Sequence, residues 1–148
     1  RGRNPNVWAI IDGTPAGVTI HYIDEGIDTG DIIAQTKIPV DSIDTGKSIY
    51  QKIDIESVRL FKDTWPKIKG GTVKRIKQNS GKGTFHYGKE FQKLDLIELD
   101  KKYTGRELIN QIRSRTFRPH PSTYFIDDNG RKVFVRIQLE YENKGKND

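Results

Sequence analysis

Hydrophobic and polar positions change period several times along the chain. Asn4 and Pro5 read as a helix start, with Asn4 as the cap and Pro5 at the first helical position. Val7, Ile10 and Ile11 follow at helical spacing, and Gly13 can stop the helix. Residues 17–23 (GVTIHYI) alternate as a strand does, and 32–40 (IIAQTKIPV) read as a second strand. A loop of acids and glycines, DEGIDTGD, lies between them. Asp44 or Thr45 can cap a longer helix running to about Ile68. Its stripe of Val58, Phe61, Trp65 and Ile68 predicts one buried face with Trp65 in the core. Pro66 disturbs the last turn, and Gly70 with Gly71 ends the helix.

Beyond that point a short strand is expected over 72–78, followed by an irregular glycine-rich stretch. Thr104 and Glu107 have capping-box spacing and open a helix through about Arg115, with Leu108, Ile109 and Ile112 on its buried face. The segment RPHPS is a rigid, extended break. Residues 122–141 read as a hairpin with a type I′ turn at Asn129 and Gly130. Val133, Val135, Ile137, Leu139 and Tyr141 share one of its faces. The pattern is α/β and divides into residues 1–70 and a small α+β subdomain over 71–148.

Composition adds constraints. Hydrophobic residues are 33% and charged residues 31% of the 148, a polar balance for a domain standing alone. That balance predicts either a burial partner elsewhere or self-association. With no cysteine, disulfides and thiolate chemistry are excluded. No apolar run approaches the ~20 residues that span a bilayer. The sequence has no methionine, so Arg1 is expected to lie inside a longer protein. Residues 1–61 carry net charge −3, 62–102 carry +6 and 103–148 carry +3. This asymmetry points to an anionic ligand such as a phosphate or nucleotide. The GKS at 46–48 lacks the upstream glycine of a phosphate-binding loop, and the three histidines have no metal-ligand spacing. No metal is expected.

The strand–loop–strand segment holds the candidate chemistry. Asp24, Glu25, Asp28 and Asp31 fall within eight residues, and His21 stands three before Asp24. Crowded carboxylates raise one another's pKa, which suits proton transfer. Composition alone favours the plainer reading, an acidic turn whose aspartates accept from backbone N–H groups.

The stretch RGRNPNVWAIIDG, with AGVTIHYIDEGIDTGDIIAQ after it, resembles the folate-dependent formyltransferases. The resemblance implies that residues 1–70 are the second half of a Rossmann-like formyltransferase domain. It implies Asp28 as a catalytic residue. The partner Asn and His of that catalytic set belong to an N-x-H-x-S-L-L-P segment that precedes the Arg-Gly pair in the family. It further implies N10-formyltetrahydrofolate as cosubstrate, with His21, Tyr22, Ile23, Asp24, Gly26 and Thr29 around the folate head. Residues 70–142 are similar to the sugar N-formyltransferase branch. The implied partner there is a nucleotide-linked amino sugar, of the dTDP-4-amino-4,6-dideoxyglucose type. Arg1, Arg3, Asn4, Phe85, Tyr87, Arg113, Phe117 and Tyr124 are its candidate contacts, arginines for the diphosphate and rings for the base. The expected setting is a cytoplasmic homodimer serving lipopolysaccharide O-antigen synthesis. Competing readings are methionyl-tRNA formyltransfer and a non-catalytic binding or dimerisation remnant. Too few residues follow Pro119 for a tRNA-binding β-barrel, and no RNA-binding motif is present.

Overall fold

The computed structural model describes residues 3–78 and 86–142. Helix α1 (Pro5–Ile11) leads into β1 (Ala16–His21) and β2 (Ile32–Ile38), which pair as an antiparallel ribbon. Helix α2 (Gly46–Lys69) packs across that ribbon. Short α3 (Gly88–Lys93), then α4 (Gly105–Arg115), precede a second antiparallel ribbon of β3 (Tyr124–Ile126) and β4 (Lys132–Phe134). The α/β class and the order of the principal elements are those expected.

The apolar core is small. Ala9, Ile10, Ala16, Ile38 and Ile49 are buried together, with Val18, Val40 and Ile53 packed against them. It joins α1, the first ribbon and the N-terminal half of α2. Asn4 does precede α1, but it sits in the left-handed region at φ 58° and its side chain makes no capping bond. Its carbonyl serves instead, accepting from the N–H groups of Val7 and Trp8.

The predicted stripe on α2 is not the buried one. Val58, Phe61 and Trp65 are 56%, 51% and 43% exposed, and the Phe61 and Trp65 rings stack on each other. The inward positions run Ile49, Ile53, Ser57, Leu60 and Thr64, a helical row. Trp65 is therefore a surface residue. The strand expected over 72–78 shrinks to one bridge between Ile76 and Ile32.

Helix α4 departs further from expectation. Its buried residues are Gln111, Arg113, Ser114 and Arg115, whereas Ile109 is 44% exposed. Polar side chains reach past the helix surface to main-chain carbonyls that have no ladder partner. Arg113 Nη1 donates to the carbonyls of Asp41, Ser42 and Asp44 at 2.9, 3.3 and 3.0 Å. Gln111 Nε2 donates to those of Leu94 and Leu96. Arg115 Nε holds the Asp95 carboxylate at 2.8 Å. The loop that Arg113 grips leads into α2, where Thr45 and Ser48 form a reciprocal cap. A Cβ on Gly46 would collide with the Ser114 carbonyl, so only glycine lets α2 and α4 meet there.

The hairpin turn also differs. Of its two central residues only Gly130 has positive φ, and five residues separate the paired Ile126 and Lys132. Asp127 organises them, its Oδ1 accepting from the N–H groups of Asn129 and Arg131. β4 stops at Phe134, so the long face expected through Tyr141 is not a strand.

Two outcomes follow for stability. Arg113→Met removes the donor from three carbonyls and should cost about 3 kcal/mol in urea unfolding. The second concerns Asp44. Burial opposes its charge, but Lys52, Ser48 and the Asp41 N–H hold its carboxyl below the ordinary aspartate value of 3.8. A depressed folded value stabilises above the unfolded pKa and is lost as pH falls through the folded one. Asp44→Asn should therefore destabilise at pH 7, and the difference from the parent should shrink as pH falls below the ordinary aspartate value of 3.8 and through the lowered folded one.

Candidate functional site

The acidic loop between β1 and β2 is closed at its base. The Tyr22 N–H donates to the Asp31 carbonyl at 3.0 Å, and Ile32 exchanges two backbone bonds with Ile76 just beyond. Gly30 lies so close to the Tyr22 carbonyl that a Cβ would overlap it. The Gly30 carbonyl accepts from Gln78 Nε2 at 2.6 Å. At the loop's entry the ribbon register slips between Ile20 and His21. Such a bulge re-aims the side chain that follows it.

Two of the clustered acids have different surroundings. Asp24 Oδ1 accepts from the Thr29 hydroxyl at 2.6 Å and from the Gly26 N–H at 3.1 Å. The Thr29 bond above all, then the Gly26 N–H and the nearby His21, hold its carboxyl below the ordinary range. Crowding was expected to raise the acids; at Asp24 the hydrogen bonds win. Asp28 is held otherwise. It takes a left-handed backbone at φ 53°, and its carboxylate is 58% exposed. A non-glycine residue there stores strain, a feature concentrated at functional sites. His21 Nε2 stands 3.6 Å from Asp28 Oδ1, while His21 Nδ1 lies 2.8 Å from the Tyr22 carbonyl. The Tyr22 ring carries the Arg75 guanidinium 3.9 Å from its centroid. Ile23 and Ile27 project outward, 96% and 74% exposed. The loop thus presents a carboxylate, two apolar side chains and a fixed backbone.

A second concavity, of about 540 Å³, opens where α1, α2 and the end of α4 meet. Asn4, Tyr50, Phe91, Arg115, Phe117 and His120 are among its walls. Tyr50 and Phe117 pack with ring centroids 5.4 Å apart, and His120 sits edge-on to Phe117 at 4.9 Å. The Arg115 guanidinium lies 4.1 Å over Phe91. Arg3, Asn4, Tyr87 and Phe91 border an adjoining open concavity.

Of the residues expected to meet a second substrate, Arg3, Asn4, Tyr87 and Phe117 are thus brought near one another. Arg113 is not with them: its guanidinium is buried on the carbonyls of the loop before α2. Tyr124 lies in the second ribbon, against Phe134 and under Lys132. Arg1 and Phe85 lie outside the described residues. Tyr50, Phe91 and His120 were not anticipated. Tyr50 is one more apolar position on α2 in the sequence, and only the packing of α2 against α4 gives it a neighbour. Among the described residues no three acids or histidines are grouped to hold a metal, and no helix is long and apolar enough to cross a membrane.

Residues 1–64 match the Formyl transferase family, and residues 90–141 match the N-formyltransferase dimerization C-terminal domain. Between them these two formyltransferase matches take in most of the chain. The dTDP-4-amino-4,6-dideoxyglucose formyltransferase of Mycobacterium tuberculosis is 37% identical over 143 residues, 96% of this chain and 60% of that protein. A 4-N formyltransferase from Francisella tularensis superposes with a TM-score of 0.89 at 39% identity, over 96% of this chain and 58% of that one. An N-formyltransferase from Helicobacter canadensis, in complex with folinic acid and dTDP-3-aminofucose, gives 0.74 at 30% identity, over 82% of this chain and 45% of that one. The chain therefore spans about 60% of the length of its curated sugar-formyltransferase relative.

Within this loop, Thr29→Val should raise the Asp24 carboxyl toward the ordinary aspartate value. Carbon-detected NMR titration of Asp24 would read this directly; an unmoved titration would assign the shift to the backbone alone.

Proposed function

We propose that the protein carrying this chain transfers a formyl group from N10-formyltetrahydrofolate to the amino group of a nucleotide-linked amino sugar. The observation that carries the reading is Asp28, displayed in a strained backbone on a loop whose base and interior are both tied down. The amine nitrogen would attack the formyl carbon, and the bond from that carbon to the folate N10 would break. One proton leaves the amine and one arrives at N10, so a carboxylate between them can relay it without net change. Oxyanion stabilisation would fall to donors outside this loop.

Tyr22, Ile23, Gly26 and Thr29 offer a backbone edge and an apolar flank suited to a flat pteridine. The aromatic concavity suits the other end of the reaction, with Phe117 and Tyr50 against a base and Arg3 or Arg115 toward a diphosphate. The named ligands of the Helicobacter relative support this pairing, as does the 37% identity to an enzyme named for a dTDP-amino sugar. The second ribbon with Phe134, and Tyr141 in the non-strand segment after it, both half exposed or more, are assigned to homodimer formation. Both reactants are charged and water-soluble, which fits a cytoplasmic step feeding lipopolysaccharide O-antigen assembly.

In the protein expressed from its full reading frame, Asp28→Asn should lower kcat by roughly 100-fold or more, with folate affinity little changed. Phe117→Ala should raise KM for the nucleotide sugar by about tenfold, the worth of one base–ring stack. Turnover near wild type in Asp28→Asn would overturn the assignment, as would an unchanged KM in Phe117→Ala for the concavity.

A further inference from the structure

We infer that Arg115 is the donor that reads a carbonyl of a pyrimidine base in the aromatic concavity, and that Asp95 is its positioning residue. The inference rests on the reading of a nucleotide-linked substrate given above and assigns one part of it. Arg113 and Arg115 stand two residues apart on α4, and both are buried. Arg113 is taken up by main-chain carbonyls. Arg115 turns one edge, Nε and Nη2, to Asp95 Oδ1 at 2.8 and 2.5 Å. Its face lies on Phe91 at 4.1 Å. The remaining group, Nη1, has no partner among the described residues. It is not sealed in protein either, because none of their buried side-chain nitrogens or oxygens lacks a partner. Nη1 therefore reaches the open space that Arg115 borders, the concavity of about 540 Å³. Asp95 is itself tethered. Its N–H donates to the Gln92 carbonyl at 3.1 Å, and its carbonyl accepts from the Tyr124 N–H at 2.7 Å. A guanidinium held by such an acid points in one direction.

Charge selects the ligand group. Asp95 cancels the formal charge of Arg115, so the pair offers a directed donor with little net field. A diphosphate is drawn by net positive charge, which the exposed Arg3 supplies at the adjoining opening. A neutral carbonyl oxygen needs a donor in a fixed place instead. The Tyr50 and Phe117 rings, 5.4 Å apart, give a flat heterocycle a face to lie on. Asn4 is on the same wall, in its left-handed backbone, with its side chain free of any capping bond. An amide both donates and accepts. Nη1 and the Asn4 amide together match the imide edge of thymine or uracil, a donor for the carbonyl and an acceptor for the ring N–H. Adenine would face Nη1 with a second donor, and a site built on such bonds rejects the mispaired ligand.

Binding of thymidine, dTDP, dADP and inorganic pyrophosphate to the protein expressed from its full reading frame separates the possibilities. Arg115→Met should weaken thymidine and dTDP alike, by about tenfold, and should shrink the preference for dTDP over dADP by the same factor. Pyrophosphate should stay within about twofold. Asp95→Asn releases the guanidinium and uncovers its charge, so thymidine should weaken several-fold while pyrophosphate tightens. A damaged fold cannot produce that opposition of sign. Loss of dTDP and pyrophosphate binding in Arg115→Met with thymidine unmoved would place Arg115 on the diphosphate and overturn the proposal. A uniform loss of all ligands in both variants would make the pair structural and overturn it equally, as would no change at all. In each of these cases the nucleotide-sugar reading stands. If the wild-type protein binds neither thymidine nor dTDP, that reading falls and this inference falls with it.

Discussion

The rest of the chain depends on one buried guanidinium. Arg113 lies at the C-terminal end of α4 and satisfies three carbonyls of the loop that enters α2. Moving such a charge out of water is costly, and burial pushes the Arg113 pKa down, with Asp44 opposing that push. The three bonds offset the cost and also fix geometry. They hold the residues that hold Asp44, whose carboxylate in turn holds Ser48 and Lys52 on the first turns of α2. Asn6 of α1 joins the same point through the Gly46 carbonyl at 2.9 Å. Three helices thus converge on these polar bonds, beside the apolar core that α1 and α2 share with the first ribbon. Tyr50 and Phe117 face each other only because α2 and α4 are locked at this junction.

The acidic loop depends on a different device. It is long and open, yet it is fixed from within by Asp24 and at its base by Tyr22, Gly30 and Gln78. That rigidity lets Asp28 hold a left-handed backbone that an untethered loop would relax. The bulge before it serves the same end, placing a histidine where a regular strand would have turned the ring away. Scaffold and proposed chemistry therefore share one loop, divided residue by residue.

This division explains what the sequence could and could not reveal. The starts of α1, α2 and α4, the two strands of the first ribbon, and the capping box at Thr104 were legible because each is a local rule acting on neighbours. The buried face of α2 was not. Val58, Phe61 and Trp65 satisfy helical periodicity as well as the true inner row does, and periodicity counts apolar residues without knowing which side has a partner. α4 misled for the opposite reason. Gln111, Arg113 and Arg115 look like a solvated surface until distant carbonyls are placed beside them. At Asn129 and Gly130 the sequence pattern for a tight turn was outweighed by Asp127 two residues earlier, whose carboxylate offered the backbone a wider loop.

The acids show the limit most clearly. Asp24 and Asp28 are identical in type, four residues apart and equally plausible in composition. What separates them is which one finds donors. Asp24 meets a hydroxyl and an N–H, so its charge is stabilised where it stands and is poorly suited to carry a proton. Asp28 is turned outward by its own backbone and meets an imidazole at the edge of hydrogen-bonding range. The acid proposed as reactive is therefore the one the loop does not need for its own folding.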